Sequence, residues 1–287
     1  MAKLLPGAPV AEAVSDRIRT GVARLQERGV VPTVTIVRVG ERPPDLSYER
    51  GFTKKAQSLG IQVRKTVFSV DIAESVLLET LHAINEDNSV HGCLLFRPLP
   101  PHLNTQAVLS ALKPSKDIDA MTGASMGSLI TQDSSGFPPC TAQACMEILH
   151  YYNIPLQGKN VVMVGSGLAV GMPTSIMLIN QGATVSVCHI FSDPERVKEL
   201  CRRADIIISA AGKARLITRE HVSPGQTIID VGINMGPDGK LCGDVSFDQV
   251  EPIVAAITPV PKGVGAVTST TLAGHTVQAA LKACGLS

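Results

Sequence analysis

The sequence predicts an α/β protein built on parallel sheets. Short apolar, β-branched segments recur along the 287 residues, and segments with helical spacing of apolar residues lie between them. Strands that alternate with helices pair in parallel, because each helix returns the chain to the same edge of a sheet. The length allows two domains, and we place their boundary between Gly123 and Pro139, where Gly, Ser and Pro concentrate.

The individual elements follow from periodicity and from the residues that break helices. A first helix is predicted for residues 8–27, since its apolar residues share one face and Gly29 ends it. Residues 41–47 carry two prolines and are expected to form a loop, with the next helix beginning near Asp45 or Ser47 and running to Leu59. Further helices are predicted at 73–85, 105–112, 141–152, 194–203 and 272–284, strands at 33–39, 61–67, 90–96, 161–164, 184–187, 204–209, 227–231 and 255–258, and irregular structure at 114–128 and 259–270.

The composition excludes several classes of protein. A formal net charge of +1 gives no electrostatic footprint for nucleic acid or for an anionic membrane. No apolar run reaches the roughly 18 residues of a membrane span, and the first residues do not resemble a signal peptide. The seven cysteines contain no C-x-x-C pair, which argues against disulfides and a zinc site and favours the cytoplasm.

Residues 159–189 have the order strand, glycine turn, helix, strand. Gly165 and Gly167 would let backbone amides approach a pyrophosphate, and the helix that follows would add its positive dipole. The spacing through Gly171 is G-x-G-x-x-x-G, one residue longer than the standard pattern. This placement predicts a dinucleotide site of the Rossmann type; the alternative is a glycine turn that only lets helix and strand pack closely.

A few polar residues are candidates for chemistry. Tyr48, near the start of the second helix, would donate a hydrogen bond to a substrate or else cover the core. Asp119, in the sequence KDIDAM, would accept two parallel N–H bonds from an amino-pyrimidine ring, and Asp117 and Asp119 are equally suited to Asx turns. His102, His189 and His275 are expected to be solvated or to cap helices, and no metal site is expected.

Several stretches together resemble the bifunctional 5,10-methylenetetrahydrofolate dehydrogenase/5,10-methenyltetrahydrofolate cyclohydrolase (FolD) family. They include SYERGFTKKAQSLGI, RPLPPHLN, PSKDIDAM, FPPCTAQA, VVMVGSGLAVGMP, IIDVGIN, GDVSF and ITPVPKGVGAVTSTTL, in the family's order. The resemblance implies a folate-binding catalytic domain (residues 1–122 with 270–287), a C-terminal Rossmann domain (residues 140–269) and a folate cleft between them. It also implies NADP or NAD as cofactor, a cytoplasmic homodimer, and a place in the one-carbon metabolism that serves purine biosynthesis.

The resemblance assigns roles to particular residues. Tyr48 matches the tyrosine that orients the folate, and Asp119 matches the aspartate that holds the pterin ring. The remaining positions implied for the substrate are Pro98, Leu99, Pro261 and Gly263, and those implied for the cofactor are Gly165, Ser166, Gly167, Gly171, Pro173, Ile190 and Ile233.

The sequence departs from the family at the catalytic positions. Members carry a lysine four residues after the tyrosine and a glutamine in V-Q-L-P-L-P, whereas this chain has Phe52 and Phe96 there. A phenyl ring has no titratable proton, so it cannot take part in acid–base catalysis. Lys54 is no substitute, because it is about 200° further round a helix.

The sequence also departs from the family at the cofactor and folate positions. Ser166 stands where the family has one arginine, and Ile190 and Phe191 stand where it has a serine and a second arginine. In the family, such arginines hold the 2′-phosphate of NADP. Only Asp193 could reach a ribose diol in their place. Lys262 stands where the family has a glycine.

The leading hypothesis is therefore an oxidoreductase and cyclohydrolase of this family whose hydrolytic activity is impaired, because hydride transfer needs alignment more than a lysine. A second hypothesis is that NADP is not preferred over NAD. The alternatives are a catalytically inactive or repurposed paralogue that keeps the fold, and an unrelated amino-acid dehydrogenase, for which we can place no catalytic Lys or Asp.

Overall fold

The computed structural model describes residues 1–133, 136–236 and 239–286, which form two compact units. The six-stranded unit comprises Met1–Glu12 and Thr141–Thr268, and the three-stranded unit comprises Ala13–Cys140 and the chain from Ser269 onward. Residues 134 and 135 of the predicted boundary lie outside the described residues. The predicted domains, 1–122 with 270–287 and 140–269, stay a proposal.

The bounds of the elements are as follows. The strands are β1 (Lys3–Leu4), β2 (Thr33–Val39), β3 (Gln62–Phe68), β4 (Gly92–Leu95), β5 (Asn160–Val164), β6 (Thr184–Cys188), β7 (Ile206–Ser209), β8 (Thr227–Asp230), β9 (Asn234–Met235), β10 (Leu241–Cys242) and β11 (Ala256–Ile257). The helices are α1 (Gly7–Gln26), α2 (Pro43–Ser58), α3 (Glu74–Glu86), α4 (Thr105–Ala111), α5 (Gly123–Thr131), α6 (Cys140–Tyr151), α7 (Gly171–Asn180), α8 (Pro194–Arg203), α9 (Phe247–Val250) and α10 (Gly265–Ala283).

The three-stranded unit is a parallel sheet in the order β3-β2-β4. Every residue of β2 and β4 is buried, because both faces of these strands are covered. One apolar cluster lies around Leu25, Phe52 and Leu272. A second lies around Leu81, Leu95 and Val108. The sheet therefore offers its strand ends, rather than its faces, to a ligand.

The six-stranded unit is a parallel sheet in the order β1-β11-β8-β7-β5-β6. A short antiparallel pair, β9 and β10, accompanies it. One apolar cluster includes Met163, Ile208 and Leu178, and another includes Val162, Ile207 and Ile257. Alternate residues of β5 and β7 thus belong to different clusters, as expected for a sheet covered on both faces. Within the described residues, no helix combines the length and the apolar character that crossing a membrane requires.

The predicted α/β class with parallel sheets is confirmed, but three local predictions are wrong. Residues 43–47 are helical, because Pro43 and Pro44 occupy the first turn of α2, where no N–H donor is required. Within 114–128, α5 forms behind the cap Thr122, whose side chain accepts from Ser125 N. The last helix begins at Gly265 rather than Leu272, since burial of Val267 outweighs the low helix propensity of glycine and β-branched residues.

Candidate active site

Helix α2, which carries Tyr48 and Phe52, is anchored to the sheet by a buried ion-pair network. Glu49 Oε2 accepts from Arg38 Nε of β2 at 2.9 Å, and Glu49 Oε1 lies 2.8 Å from Lys65 Nζ of β3. The side chains of Arg38 and Glu49 are both buried, so the pair is little screened by solvent. The network therefore fixes the position of α2 against β2 and β3.

Tyr48, Phe52 and Phe96 form one aromatic cluster in the three-stranded unit. The rings of Tyr48 and Phe52 are nearly parallel, with centroids 6.5 Å apart, and Phe96 meets Tyr48 edge to face at 5.9 Å. Phe52 is only 1% exposed, whereas Tyr48 is 39% exposed. Lys54 is exposed while Phe52 is buried, consistent with their lying on different faces of α2. The two catalytic positions at which the resemblance predicts a departure from the family thus both contact Tyr48.

The loop that carries Asp119 is organised by its neighbour Asp117. The buried Asp117 carboxylate accepts from Met121 N at 2.9 Å, Thr122 N at 2.8 Å and Ser125 Oγ at 2.6 Å. These bonds reach residues four, five and eight positions along the chain, whereas an Asx turn bonds two positions on, so Asp117 holds the loop by longer-range contacts than predicted. Asp119 is partly buried and lies beside the thiol of Cys140.

The pKa values of Asp119 and Tyr48 are both raised, chiefly by burial. Burial, together with the nearby charge of Asp117, raises the pKa of Asp119 to about 6. Burial of the phenol, with smaller contributions from Cys140 and Asp119, raises the pKa of Tyr48. Tyr48 consequently stays protonated near neutral pH, so its hydroxyl can donate a hydrogen bond but cannot act as a base.

The residues beside Asp119 include two that we did not predict to be functional. Cys140 is buried, and its Sγ lies 3.5 Å from Ile118 O and 3.6 Å from His275 Nδ1. The expectation of a solvated or capping His275 is wrong, because the ring is 4% exposed and its Nδ1 lies 2.8 Å from Ile118 O. Only tertiary packing joins these distant positions, so no local motif could have revealed them.

In the six-stranded unit, the turn after β5 has the geometry of a ligand cradle. Gly165 has φ +114°, and a Cβ there would lie 2.3 Å from Ala210 O. A Cβ on Gly171 would lie 1.9 Å from Gly165 O, so both glycines are required by close packing. A Cβ on Gly167, by contrast, would meet no protein atom among the described residues. The packing interpretation therefore accounts for Gly165 and Gly171 but not for Gly167.

Helix α7 begins directly after this cradle. Its N-cap, Val170, provides no side-chain hydrogen bond, and Ser166 is partly exposed while Pro173 is buried in the first turn. Gly167 O accepts from Met172 N at 3.1 Å, so one amide of the first turn has a backbone partner. A helix N-terminus without a side-chain cap, close to the open Gly167, still fits the pyrophosphate of a dinucleotide, because amide donors and the helix dipole both favour an anion.

The end of β6 lacks the groups that usually hold the sugar of a dinucleotide. Ile190 and Phe191 are each 90% exposed. Asp193 does not reach back to a ribose, because its Oδ1 accepts from Arg196 N at 2.9 Å and caps α8. This segment offers an apolar surface and neither an arginine nor an uncommitted carboxylate.

The remaining predicted positions lie at two places. Ile233, Pro261 and Gly263 line one cavity of about 130 Å³ in the six-stranded unit. Lys262 lines the same cavity in a left-handed conformation with φ +81°, which glycine adopts more readily. In the three-stranded unit, Pro98 is exposed after β4, whereas the Leu99 side chain is buried in the apolar core.

Two buried carboxylates explain the motifs IIDVGIN and GDVSF. Asp230 accepts from Gly232 N, Asp244 N and Val245 N. Asp244 accepts from the amides of residues 211–213 and from Asn234 Nδ2. Both side chains hold the loops at the carboxyl edge of the six-stranded sheet, and Asp230 also lines the cavity that contains Ile233, Pro261 and Gly263.

The fold and the glycine cradle define the class of the protein as a two-unit α/β protein with a Rossmann-type dinucleotide-binding unit. Two family models match the chain: the catalytic domain of tetrahydrofolate dehydrogenase/cyclohydrolase over residues 5–119, and its NAD(P)-binding domain over residues 139–284. This chain therefore belongs to the tetrahydrofolate dehydrogenase/cyclohydrolase family, and its C-terminal part is an NAD(P)-binding domain.

Individual relatives agree with this assignment. The bifunctional protein FolD of Carboxydothermus hydrogenoformans is 46% identical over 97% of both chains. The crystal structure of the bifunctional FolD enzyme of Campylobacter jejuni is 35% identical, with a TM-score of 0.94 over 98% of this chain and 99% of that one. The Trypanosoma brucei FolD, solved with NADP and an inhibitor, is 33% identical, with a TM-score of 0.91 over 99% and 98% of the two chains.

Proposed function

We propose that this chain oxidises 5,10-methylenetetrahydrofolate with NAD(P)+ and hydrolyses the methenyl product only weakly. The aromatic cluster carries this proposal. It retains the tyrosine of a folate site beside Asp119, but it presents Phe52 and Phe96 where proton transfer would require polar groups. Binding and hydrolysis thus depend on different residues of one site.

The retained residues suit folate binding. The Asp119 carboxylate would accept two N–H bonds from the amino-pyrimidine of the pterin, a strong charge-assisted pair. The protonated Tyr48 would donate a hydrogen bond, and its half-exposed ring would orient the substrate. Pro98, Leu99, Pro261 and Gly263 are proposed to line the substrate, Leu99 through its backbone because its side chain is buried.

The cofactor positions are proposed on the cradle geometry. The pyrophosphate would be held by Gly165, Ser166, Gly167, Gly171 and Pro173. The two ends of the dinucleotide would contact Ile190 and Ile233. A bound nicotinamide would supply the hydride acceptor. Because Ile190 and Phe191 replace cationic or hydroxyl groups at the end of β6, NADP would have no advantage over NAD.

Hydrolysis of the methenyl bridge needs a group that moves a proton to or from water. Phe52 and Phe96 have none, and Tyr48 holds its proton because burial raises its pKa. Loss of general acid–base catalysis typically costs about 10²–10⁴-fold in rate. We therefore expect hydrolysis to be slower by about that factor than in a member with the lysine. The protein is proposed to act in the cytoplasm as a homodimer.

One assay tests the proposal. Purified protein is incubated with methylenetetrahydrofolate and either NADP+ or NAD+, and separately with methenyltetrahydrofolate, and absorbance changes are followed. The expected result is oxidation with both dinucleotides and hydrolysis barely above the spontaneous rate. Hydrolysis as fast as in a lysine-containing member would refute the impairment, and folate binding without turnover would identify the inactive paralogue.

A further inference from the structure

A polar cavity lies in the three-stranded unit, at the amino end of its sheet. It has a volume of about 370 Å³, within the range of small-molecule sites. The residues that line it are Asn85, Asn88, Val90, His91, Lys113, Ser115, Lys116, Phe137, Ala279, Lys282 and Ala283. From His91 to Phe96 the chain runs along β4 for roughly 16 Å, so the cavity and the aromatic cluster lie at opposite ends of this strand.

The lining of this cavity is cationic, and the acids near its lysines lie outside the lining: Glu86 near Lys113, Asp87 near Lys116 and Asp133 near Lys282. Its described lining includes three lysines and no carboxylate. Lys116 Nζ donates to Ile84 O, Asp87 O and Val90 O, at 3.0, 2.6 and 2.6 Å, so this charge is held in place by carbonyls rather than neutralised by an acid. Lys282 Nζ lies 4.6 Å from the centre of the Phe137 ring. Burial lowers the pKa of both lysines, a cost that a bound anion would offset.

His91 adds a preoriented donor. The residue is 7% exposed, and its Nδ1 accepts from Thr33 N at 3.1 Å. Since Nδ1 is an acceptor, the neutral ring carries its proton on Nε2. Among the described residues, none accepts a hydrogen bond from Nε2, and this nitrogen is not fully enclosed by protein atoms. Nε2–H therefore opens toward the solvent of the cavity that the ring lines.

We propose that this cavity is a binding site for the phosphoryl group of a small phosphorylated molecule. His91 Nε2–H and the hydroxyl of Ser115 supply neutral donors, and Lys113 and Lys282 supply positive charge. Lys113 Nζ now lies 2.7 Å from Glu86 Oε1, an exposed contact that a doubly charged phosphate can displace. The volume exceeds that of inorganic phosphate, so the geometry points to a phosphate ester whose organic part lies along Ala279 and Ala283.

Calorimetry on the full-length protein tests this site, with inorganic phosphate and glycerol 3-phosphate as probes and succinate as an anion without phosphorus. Ser115→Asp places a negative charge at an exposed position of the lining, and Lys282→Gln removes a positive one. Ser110→Asp is the matched control, because Ser110 is exposed in the same unit and does not line the cavity.

We expect saturable binding of glycerol 3-phosphate that weakens at least tenfold in Ser115→Asp and Lys282→Gln and is unchanged in Ser110→Asp. The His91 Nε2 resonance should shift in long-range nitrogen–proton spectra. Binding of inorganic phosphate alone would support the phosphoryl site and identify the free ion as its ligand. Absence of binding, equal affinity in Ser115→Asp, or equally tight succinate would overturn the proposal.

Discussion

The ring of Phe96 meets the ring of Tyr48 edge to face, with their centroids 5.9 Å apart. Aromatic pairs of this geometry contribute about 0.5–1.5 kcal/mol beyond the area that they bury. Together with the stacked Phe52, Phe96 holds the tyrosine by packing, where polar partners would hold it by hydrogen bonds. The proposed orienting role of Tyr48 would thereby be separated from proton transfer.

Restoring the polar pair should restore hydrolysis. In the double variant Phe52→Lys/Phe96→Gln, the amide can pair with the new ammonium, and the methenyl hydrolysis rate should rise at least tenfold. Phe52→Lys alone should lower the unfolding temperature instead, because it buries an unpaired charge at a position that is 1% exposed. Phe52→Leu is the control and should leave hydrolysis unchanged. A folded double variant without the gain would contradict the proposed cause of the impairment.

Folate affinity should depend on pH through Asp119. Its pKa of about 6 means that the carboxylate is present above pH 6 and becomes protonated below it. Only the ionised form accepts two N–H bonds, so affinity should fall about tenfold per unit as the pH drops below 6. Fluorescence titration from pH 5 to 8 measures this. Asp119→Asn should bind folate at least tenfold more weakly at pH 7.5, and its affinity should not change with pH. If the affinities of Asp119→Asn and of the unmodified protein change with pH in parallel, Asp119 is not the titrating group.

A single arginine at the end of β6 should create a preference for NADP. Phe191 is 90% exposed, so Phe191→Arg costs little stability and adds a bidentate donor for a 2′-phosphate. We expect NADP to bind about tenfold more tightly, with NAD affinity unchanged. The control Phe191→Leu, measured by calorimetry in the same way, should change neither the NADP affinity nor the NAD affinity. A gain for both dinucleotides would mean that the arginine does not read the 2′-phosphate.

Relief of the left-handed backbone at Lys262 should stabilise the protein. With φ +81°, a residue with a Cβ is strained there by about 1 kcal/mol, part of which is offset by the greater entropy of glycine in the unfolded chain. Lys262→Gly should therefore raise the thermal unfolding midpoint. The control Lys213→Gly, at an exposed loop residue without positive φ, should lower it slightly. Equal decreases of the unfolding midpoint in Lys262→Gly and Lys213→Gly would show that the backbone strain at Lys262 is negligible.

Much of this architecture could be predicted from local patterns. A run rich in β-branched residues marked β2 and a continuous apolar run marked β5, because strands buried on both faces need no strict alternation. The glycine pattern located the turn before α7, since steric limits on Cβ act over a few residues. The start of α10 was missed, because burial of Val267 overrides local propensity there.

The sequence by itself determined the fold class and the family, and it places Phe52 at the position to which the family resemblance assigns a lysine, because these are properties of residue types and of their spacing. Only the tertiary structure decided that Phe52 and Phe96 contact the same tyrosine and that Asp193 is committed to a helix cap. It alone joined Cys140 and His275 beside Asp119 and placed His91 and Lys282 around one cavity. Such contacts join residues far apart in the chain, and their geometry depends on how the helices pack on each sheet rather than on any local pattern.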